Sequence, residues 1–292
     1  MYVGRFAPSP TGPLHYGSLV AAVASYLDAR HNNGKWLLRI EDLDPPRESS
    51  EAPAEIMRQL EAYGLHWDGE VLFQSTRLPA YRDALASLYE STFCCDCSRK
   101  TTPPVYPGTC RERRLSGDTG NPIAIRLRVP DKTVTINDLV CGHQVWDLEQ
   151  EVGDFIIRRK DNLFAYQLAV VVDDIFQQVT HIIRGRDLLD STPRQLAVYQ
   201  ALGQQAPTYA HLPIVVDDHR VKLSKQAHAQ PISTVDPLAV LKTVLDQLGQ
   251  PEPSADTVPA LLDEAIQNWD IQAITKSAEL TEPDGIHGTP QT

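Results

Sequence analysis

Tyr2-Val3-Gly4-Arg5-Phe6-Ala7-Pro8-Ser9-Pro10-Thr11-Gly12-Pro13-Leu14-His15-Tyr16-Gly17-Ser18 is the stretch on which the fold turns. Its first six residues read as a short strand, and Pro8 to Pro13 is turn chemistry that can stay neither helical nor paired. Leu19, Val23, Tyr26 and Leu27 then recur at i, i+4, i+7 and i+8, one apolar helical face, until Asn33-Gly34 stops the run. Lys35-Trp36-Leu37-Leu38-Arg39-Ile40 is a second strand, so the first 40 residues predict a strand, turn, helix, strand unit of the α/β class. The turn opens straight onto a helix N-terminus, where unpaired backbone N–H groups and the helix dipole favour an anion such as a phosphate. Gly17 permits close backbone approach there, and His15 can donate to phosphate oxygens or to charge that develops on them.

Outward from this unit, helical patterns continue through Glu51 to Tyr63 and Pro79 to Ser91. The rhythm then breaks into a cysteine cluster and β-rich runs at Ala124 to Val129, Thr133 to Val140 and Phe155 to Arg159, with Lys160-Asp161-Asn162 able to turn a hairpin into Leu163-Phe164-Ala165. Alternation resumes with a strand at Val179 to Arg184 and a helix opened by Thr192-Pro193 and closed at Gly203. These shifts divide the chain into a first half (1–91), an inserted β-rich module (92–164), a second half (165–235), C-terminal helices (236–280) and a frayed polar tail (281–292).

The 292 residues carry 27 Lys and Arg against 38 Asp and Glu, a net charge of −11, which excludes a protein that coats nucleic acid nonspecifically. Any nucleic-acid contact must be local, and Arg111, Arg113, Arg114, Arg126, Arg128, Arg158, Arg159 and Lys160 on the inserted module are the candidates for phosphate contacts. Four of the five cysteines fall between Cys94 and Cys110, a poor disulfide framework but a plausible metal cluster in a reducing compartment, whereas Cys141 reads as a bystander. With no apolar run long enough to span a bilayer and no basic-then-apolar leader, a cytoplasmic location is expected.

Some 200 residues beyond His15, a hairpin near Asp217-Asp218-His219 leads into Lys222-Leu223-Ser224-Lys225-Gln226. Two lysines flanking a hydroxyl on a loop can clamp a leaving pyrophosphate. In this order the two elements resemble the HIGH and KMSKS signatures of class I aminoacyl-tRNA synthetases, which implies a Rossmann-like catalytic domain split by an acceptor-binding module. Arg5-Phe6-Ala7-Pro8-Ser9-Pro10-Thr11-Gly12, Leu38-Arg39-Ile40-Glu41-Asp42-Leu43-Asp44, Tyr166-Gln167-Leu168-Ala169-Val170-Val171-Val172-Asp173-Asp174 and Ile183-Arg184-Gly185-Arg186-Asp187-Leu188-Leu189 narrow the resemblance to the glutamyl-tRNA synthetases. A glutamate has two carboxylates and an ammonium, so its pocket needs cationic donors and a carboxylate. The resemblance implies that Arg5, Phe6, Ala7, Pro8, Ser9, Glu41, Tyr166 and Arg184 bind the amino acid. It also implies that His15, Gly17, Ser18, Lys222 and Lys225 serve ATP and its Mg²⁺.

Three positions depart from the family pattern: Ser18 replaces the second histidine of the HIGH element, Gln226 the last serine of KMSKS, and Val170 a common asparagine. None removes a charge the reaction needs. Only 66 residues follow Gln226, too few for an anticodon-gripping body. Together with H-x-G-S, Lys-Leu-Ser-Lys-Gln, Cys-x-Cys and Tyr-x-x-x-Cys, this makes the chain similar to the short glutamyl-Q tRNA(Asp) synthetase family. Members activate L-glutamate with ATP without tRNA and transfer it to queuosine at the wobble position of tRNA(Asp), so that resemblance implies queuosine-containing tRNA(Asp) as acceptor. A short conventional synthetase charging a tRNA 3′ end and a silent tRNA-binding paralogue are the alternatives, the second disfavoured by intact Arg5, His15, Glu41, Lys222 and Lys225.

Cys95, Cys97 and Cys110 leave a tetrahedral zinc one ligand short, and the resemblance supplies Tyr106, with Cys94 or a water as rivals. A phenolate is an unusual ligand, because its pKa of about 10 must fall for the metal to bind it.

Overall fold

The computed structural model describes residues 1–98, 100, 102–113, 115, 122–217, 220 and 230–283. β1 (Val3–Phe6) is buried along its whole length and pairs in parallel with β2 (Lys35–Ile40). Between them runs α1 (Tyr16–His31), in which Leu19, Val23 and Leu27 are buried as the periodicity predicts. Ala22, Ala24 and Ala29 on its other sides are buried too. The second burial has a cause far along the chain: α7 (Val258–Asn268), following α6 (Pro237–Gln247), shares one apolar core with α1. The Trp269 indole N–H donates to Asp28 at 2.8 Å, and Tyr2 hydrogen-bonds the same carboxylate. The C-terminal helices are therefore built into the core of the first half.

After α2 (Ala52–Ala62), β3 (Leu72–Phe73) adds in parallel to β2, and α3 (Leu78–Ser87) follows. The second half begins with α4 (Tyr166–Phe176), a helix that the strand and turn signals on either side do not announce. β9 (His181–Gly185), α5 (Thr192–Ala201) and β10 (Thr208–Leu212) come next, with β10 parallel to β9. The Thr180 N–H donates to the Val3 carbonyl at 2.9 Å, which lays the start of β9 alongside β1. Parallel strands with helical crossovers thus flank the β1 edge from both parts of the chain, the expected Rossmann-like arrangement.

Between the halves, β4 (Thr92–Cys95), β5 (Ala124–Leu127) and β8 (Phe155–Arg158) form an antiparallel sheet, and β6 (Thr133–Asp138) with β7 (Gly142–Asp147) forms a hairpin. The strand expected through Val140 ends at Asp138, because that carboxylate accepts the N–H groups of Val140 and Cys141 at 3.0 and 2.8 Å and turns the chain. β11 (Ile214–Val216) pairs in parallel with β12 (Glu279–Thr281), so Thr281, expected to begin a frayed tail, closes a strand instead. The expected tail beyond it, 284–292, lies outside the described residues. Among the described residues no helix is long and apolar enough to cross a membrane.

Candidate active site

A cleft of about 780 Å³ opens where the C-terminal ends of β1, β2 and β9 meet the N-termini of α1 and α4. Parallel sheets place ligands at such carboxyl ends. Arg5, Phe6, Ala7, Pro8, Ser9, His15, Gly17, Ser18, Glu41, Tyr166 and Arg184 all line it. Every described residue predicted to meet glutamate or nucleotide therefore faces one cavity. Lys222 and Lys225 lie outside the described residues, but Ile214 and Val215 of β11, a few positions before them, form the cleft wall.

Charge at the floor is organised by two residues the sequence reading did not single out. Arg39, wholly buried, donates to Asp174 at 2.7 Å, to Gln177 at 2.9 Å and to Glu41 at 3.3 Å. Asp174, also buried, accepts from Arg5 Nε at 3.3 Å. Burial alone pushes the Asp174 carboxyl up, and the Arg39 and Arg5 guanidiniums outweigh it and hold it below the usual carboxylate range. For Glu41 the balance reverses: burial dominates, and the same two arginines fail to bring it back to its ordinary value. Glu41 is thus a buried carboxylate short of positive charge on the floor of the cleft. A cation bound beside it would favour its ionised form. Two buried arginines against two carboxylates leave the floor nearly neutral, so a ligand's own charges meet individual side chains.

His15 caps α1 with its ring: the Ser18 N–H donates to Nδ1 at 3.3 Å, and Nε2 lies 3.0 Å from Ser18 Oγ. An accepting Nδ1 requires the proton of a neutral ring on Nε2. Gly17 fits beneath, where an added Cβ would sit 3.3 Å from the His15 ring. Arg184, 4% exposed, donates to Gln195 at 2.8 Å, Thr192 at 3.0 Å, His211 at 3.0 Å and the Leu188 carbonyl at 3.4 Å, which fixes its guanidinium in one orientation. Burial, then Glu41, pushes the Tyr166 phenol up, keeping it a neutral hydroxyl whose oxygen can accept.

The three thiols of Cys95, Cys97 and Cys110 lie within 4.8 Å of one another. The Tyr106 hydroxyl sits 3.6 Å from the sulfurs of Cys95 and Cys97, and the Cys97 and Cys110 sulfurs are 3.5 Å apart. Tetrahedral zinc with sulfur at about 2.3 Å sets sulfur–sulfur edges near 3.8 Å, so this donor set fits the metal with little movement. Cys94 belongs to none of these contacts; it neighbours Cys95 on β4, where successive side chains point to opposite faces. Burial pushes the Cys95 thiol up, but its hydrogen bonds with Arg126 and Tyr106 prevail and bring it to about 7, toward the thiolate a metal takes, whereas burial pushes the Tyr106 phenol and the Cys97 thiol up. Gly153 (φ +64°) lets the segment of Tyr106 approach and bridge to it: a Cβ there would fall 2.7 Å from the Tyr106 nitrogen.

The arginines expected on tRNA phosphates divide. Arg126 is an interior residue: it donates to Cys95 Sγ at 3.3 Å and to the Asp154 carbonyl at 2.8 Å, and covers the Tyr106 ring, so the phosphate contact expected of it is withdrawn. Arg111 is also a structural residue, bidentate to buried Asp154 at 2.6 and 2.8 Å. Arg158 donates to Asn162 and Lys160 to the Asp96 carbonyl, both local contacts. Arg113, Arg128 and Arg159 keep 48%, 41% and 43% of their side chains exposed beside acidic partners. Arg114 lies outside the described residues.

Residues 2–102 and 108–249 match the family model for the catalytic domain of class I tRNA synthetases (E and Q). The chain is 48% identical over 285 residues to the glutamyl-Q tRNA(Asp) synthetase of Cronobacter sakazakii, covering 95% of each protein. It is 49% identical over 286 residues to that of Chromobacterium violaceum, covering 94% of this chain and 95% of the other. Among solved structures it resembles a glutamate tRNA ligase from Elizabethkingia meningosepticum in complex with its amino acid, with a TM-score of 0.81 and 25% identity over 95% of this chain and 66% of that one.

Proposed function

The chain belongs to the class I tRNA synthetases (E and Q), and from that membership we propose that it is a cytoplasmic ligase that activates L-glutamate with ATP, without tRNA, and transfers it to queuosine in tRNA(Asp). The observation that carries this reading is the single cleft holding the described glutamate and ATP candidates. Relatives nearly half identical over almost their full length are glutamyl-Q tRNA(Asp) synthetases, which supports this acceptor. Arg5 and Arg184 take the two substrate carboxylates, and Glu41 with Tyr166 takes the ammonium, whose charge favours ionised Glu41.

The α-carboxylate of glutamate is ionised at pH 7 and attacks the α-phosphorus of ATP as the bond to pyrophosphate breaks. No general base is required. Alignment and charge stabilisation do the work: the α1 N-terminus, His15 Nε2–H and Ser18 meet the phosphate oxygens, and Lys222 and Lys225 hold the leaving pyrophosphate. Mg²⁺ neutralises charge across those oxygens when bound. A hydroxyl of the queuosine cyclopentene-diol then attacks the mixed anhydride and AMP leaves. Cys95, Cys97, Cys110 and Tyr106 hold a structural zinc that ties β4 to the loop after it.

The deciding experiment offers labelled glutamate, ATP and Mg²⁺ with tRNA(Asp) bearing queuosine, the same tRNA lacking it, and tRNA(Glu). Label only on the queuosine form is expected. Label on tRNA(Glu) would mean conventional charging, and no glutamate-dependent pyrophosphate exchange would mean a binder. About one zinc per chain is expected in protein purified without chelator, falling in Cys110→Ser; wild type free of zinc would remove the metal site. For tRNA, the exposed pair Arg128 and Arg159 contacts phosphates. The double alanine variant should weaken tRNA binding and flatten its log–log salt slope by about 1 to 2, and an unchanged slope would clear both residues of that role.

A further inference from the structure

Arg184 is aimed by a buried chain of hydrogen bonds that begins outside the cleft. Asp138, at the end of β6, places Oδ1 within 2.8–3.1 Å of the N–H groups of Val140, Cys141 and His211, and Oδ2 2.6 Å from His211 Nδ1. Both side chains are completely buried. The far nitrogen of the ring, Nε2, stands 3.0 Å from Arg184 Nε and 3.2 Å from Thr192 Oγ1. A guanidinium can only donate and a carboxylate only accept. The two ends therefore dictate the ring between them: Nδ1 carries the proton toward Asp138, and Nε2 offers its lone pair to Arg184.

We propose that Asp138 and His211 are positioning residues for glutamate binding, Asp138 setting the His211 tautomer and His211 setting the orientation of Arg184. This rests on the reading that Arg184 receives a substrate carboxylate. Gln195, Thr192 and the Leu188 carbonyl hold the guanidinium from α5 and the segment before it, and His211 supplies the contact from β10. Leu139 N–H donates to the Tyr209 carbonyl at 2.9 Å, so the turn of the β6–β7 hairpin is docked on the same strand. The inserted segment thereby reaches the amino-acid pocket without lining it.

Asp138→Asn tests the idea with almost no change of shape. Three backbone donors keep the amide oxygen at the Oδ1 position, so the amide NH₂ replaces Oδ2 and donates to His211 Nδ1. The ring proton must then move to Nε2, where it meets the Arg184 Nε–H, two donors face to face. ¹⁵N-histidine NMR should show His211 protonated on Nδ1 in the wild type and on Nε2 in the variant. In pyrophosphate exchange the glutamate KM should rise about tenfold or more while the ATP KM stays within about twofold.

Asp138→Asn/His211→Gln should recover most of that loss, because a glutamine oxygen near the Nε2 position accepts from Arg184 whatever residue 138 is. A lesion of packing alone would not be rescued by a second buried substitution. Should Asp138→Asn fail to fold, His211→Gln against His211→Leu makes the same comparison, with only leucine raising the glutamate KM. An unchanged KM in Asp138→Asn, a wild-type ring protonated on Nε2, or equal behaviour of Gln and Leu would overturn the proposal. Correct tautomers in a protein lacking glutamate-dependent exchange would uphold the hydrogen-bond chain and defeat the substrate reading instead.

Discussion

Asp174→Ala is expected to cost about 3–5 kcal/mol of folding stability, because it removes one partner from a buried ion network and leaves the others in place. Arg39 is fully buried and Arg5 is 4% exposed, and both donate to the Asp174 carboxylate. Without it, the two guanidiniums keep only the charge of Glu41 and, for Arg39, that of Asp173 in the interior. Against a total stability of about 5–15 kcal/mol, such a loss threatens folding itself. In urea the midpoint should fall steeply with little change in slope, and Asp174→Asn, which keeps an acceptor but not the charge, should lie between alanine and wild type. The acid limb carries a second signature. The folded carboxyl lies below its unfolded value, so its contribution is present above about pH 4 and is lost as pH falls through the depressed folded value. That part of the acid transition should vanish in Asp174→Asn. An unchanged urea midpoint in the alanine variant would mean the arginines are solvated or paired elsewhere.

This network also marks where the sequence stopped being readable. The strand, turn and helix of residues 2–31 were legible because their signals are local: proline and glycine placement, then apolar spacing. The roles of Arg39 and Asp174 were not, although both stood inside quoted motifs. An arginine on a strand ordinarily reads as solvent-facing, and what buries this one is Asp174, arriving from α4 more than 130 positions later. Arg126 misled in the same direction, since it counted among the basic residues of the inserted module expected on phosphates while Asp154 and the Tyr106 ring claim it. Helix α4 was hidden for a different reason. Its run of Val170, Val171 and Val172 has the β-branched composition of a strand, and its N-cap, Ala165, has no capping side chain to announce a start. By contrast, the described residues expected at the site all line one cleft, and each stands in a short local motif of the sequence.

His15→Asn is expected to slow glutamate-dependent pyrophosphate exchange by about 10²–10³ while leaving the fold intact, a separation that follows from the two nitrogens of one ring. Nδ1 has a structural task, accepting the Ser18 N–H at 3.3 Å and capping α1. Asparagine places a side-chain oxygen near that position and is among the best N-caps, so unfolding should shift by less than about 1 kcal/mol. In the proposed reaction Nε2 has the chemical task. Its proton now meets Ser18 Oγ at 3.0 Å, at the helix N-terminus and on the wall of the cleft. That donor is available for the charge that grows on the α-phosphate oxygens as pyrophosphate leaves, and the asparagine amide is too short to reach it. Glutamate KM should hardly move, because Arg5, Glu41, Tyr166 and Arg184 lie on other elements, so the loss should fall in kcat. Alanine should lose both tasks, adding about 0.5–2 kcal/mol of destabilisation to the same slow rate. If asparagine restored the rate together with the stability, His15 would be a helix cap and nothing more, and the phosphate charge would have to be met by the backbone and the two lysines.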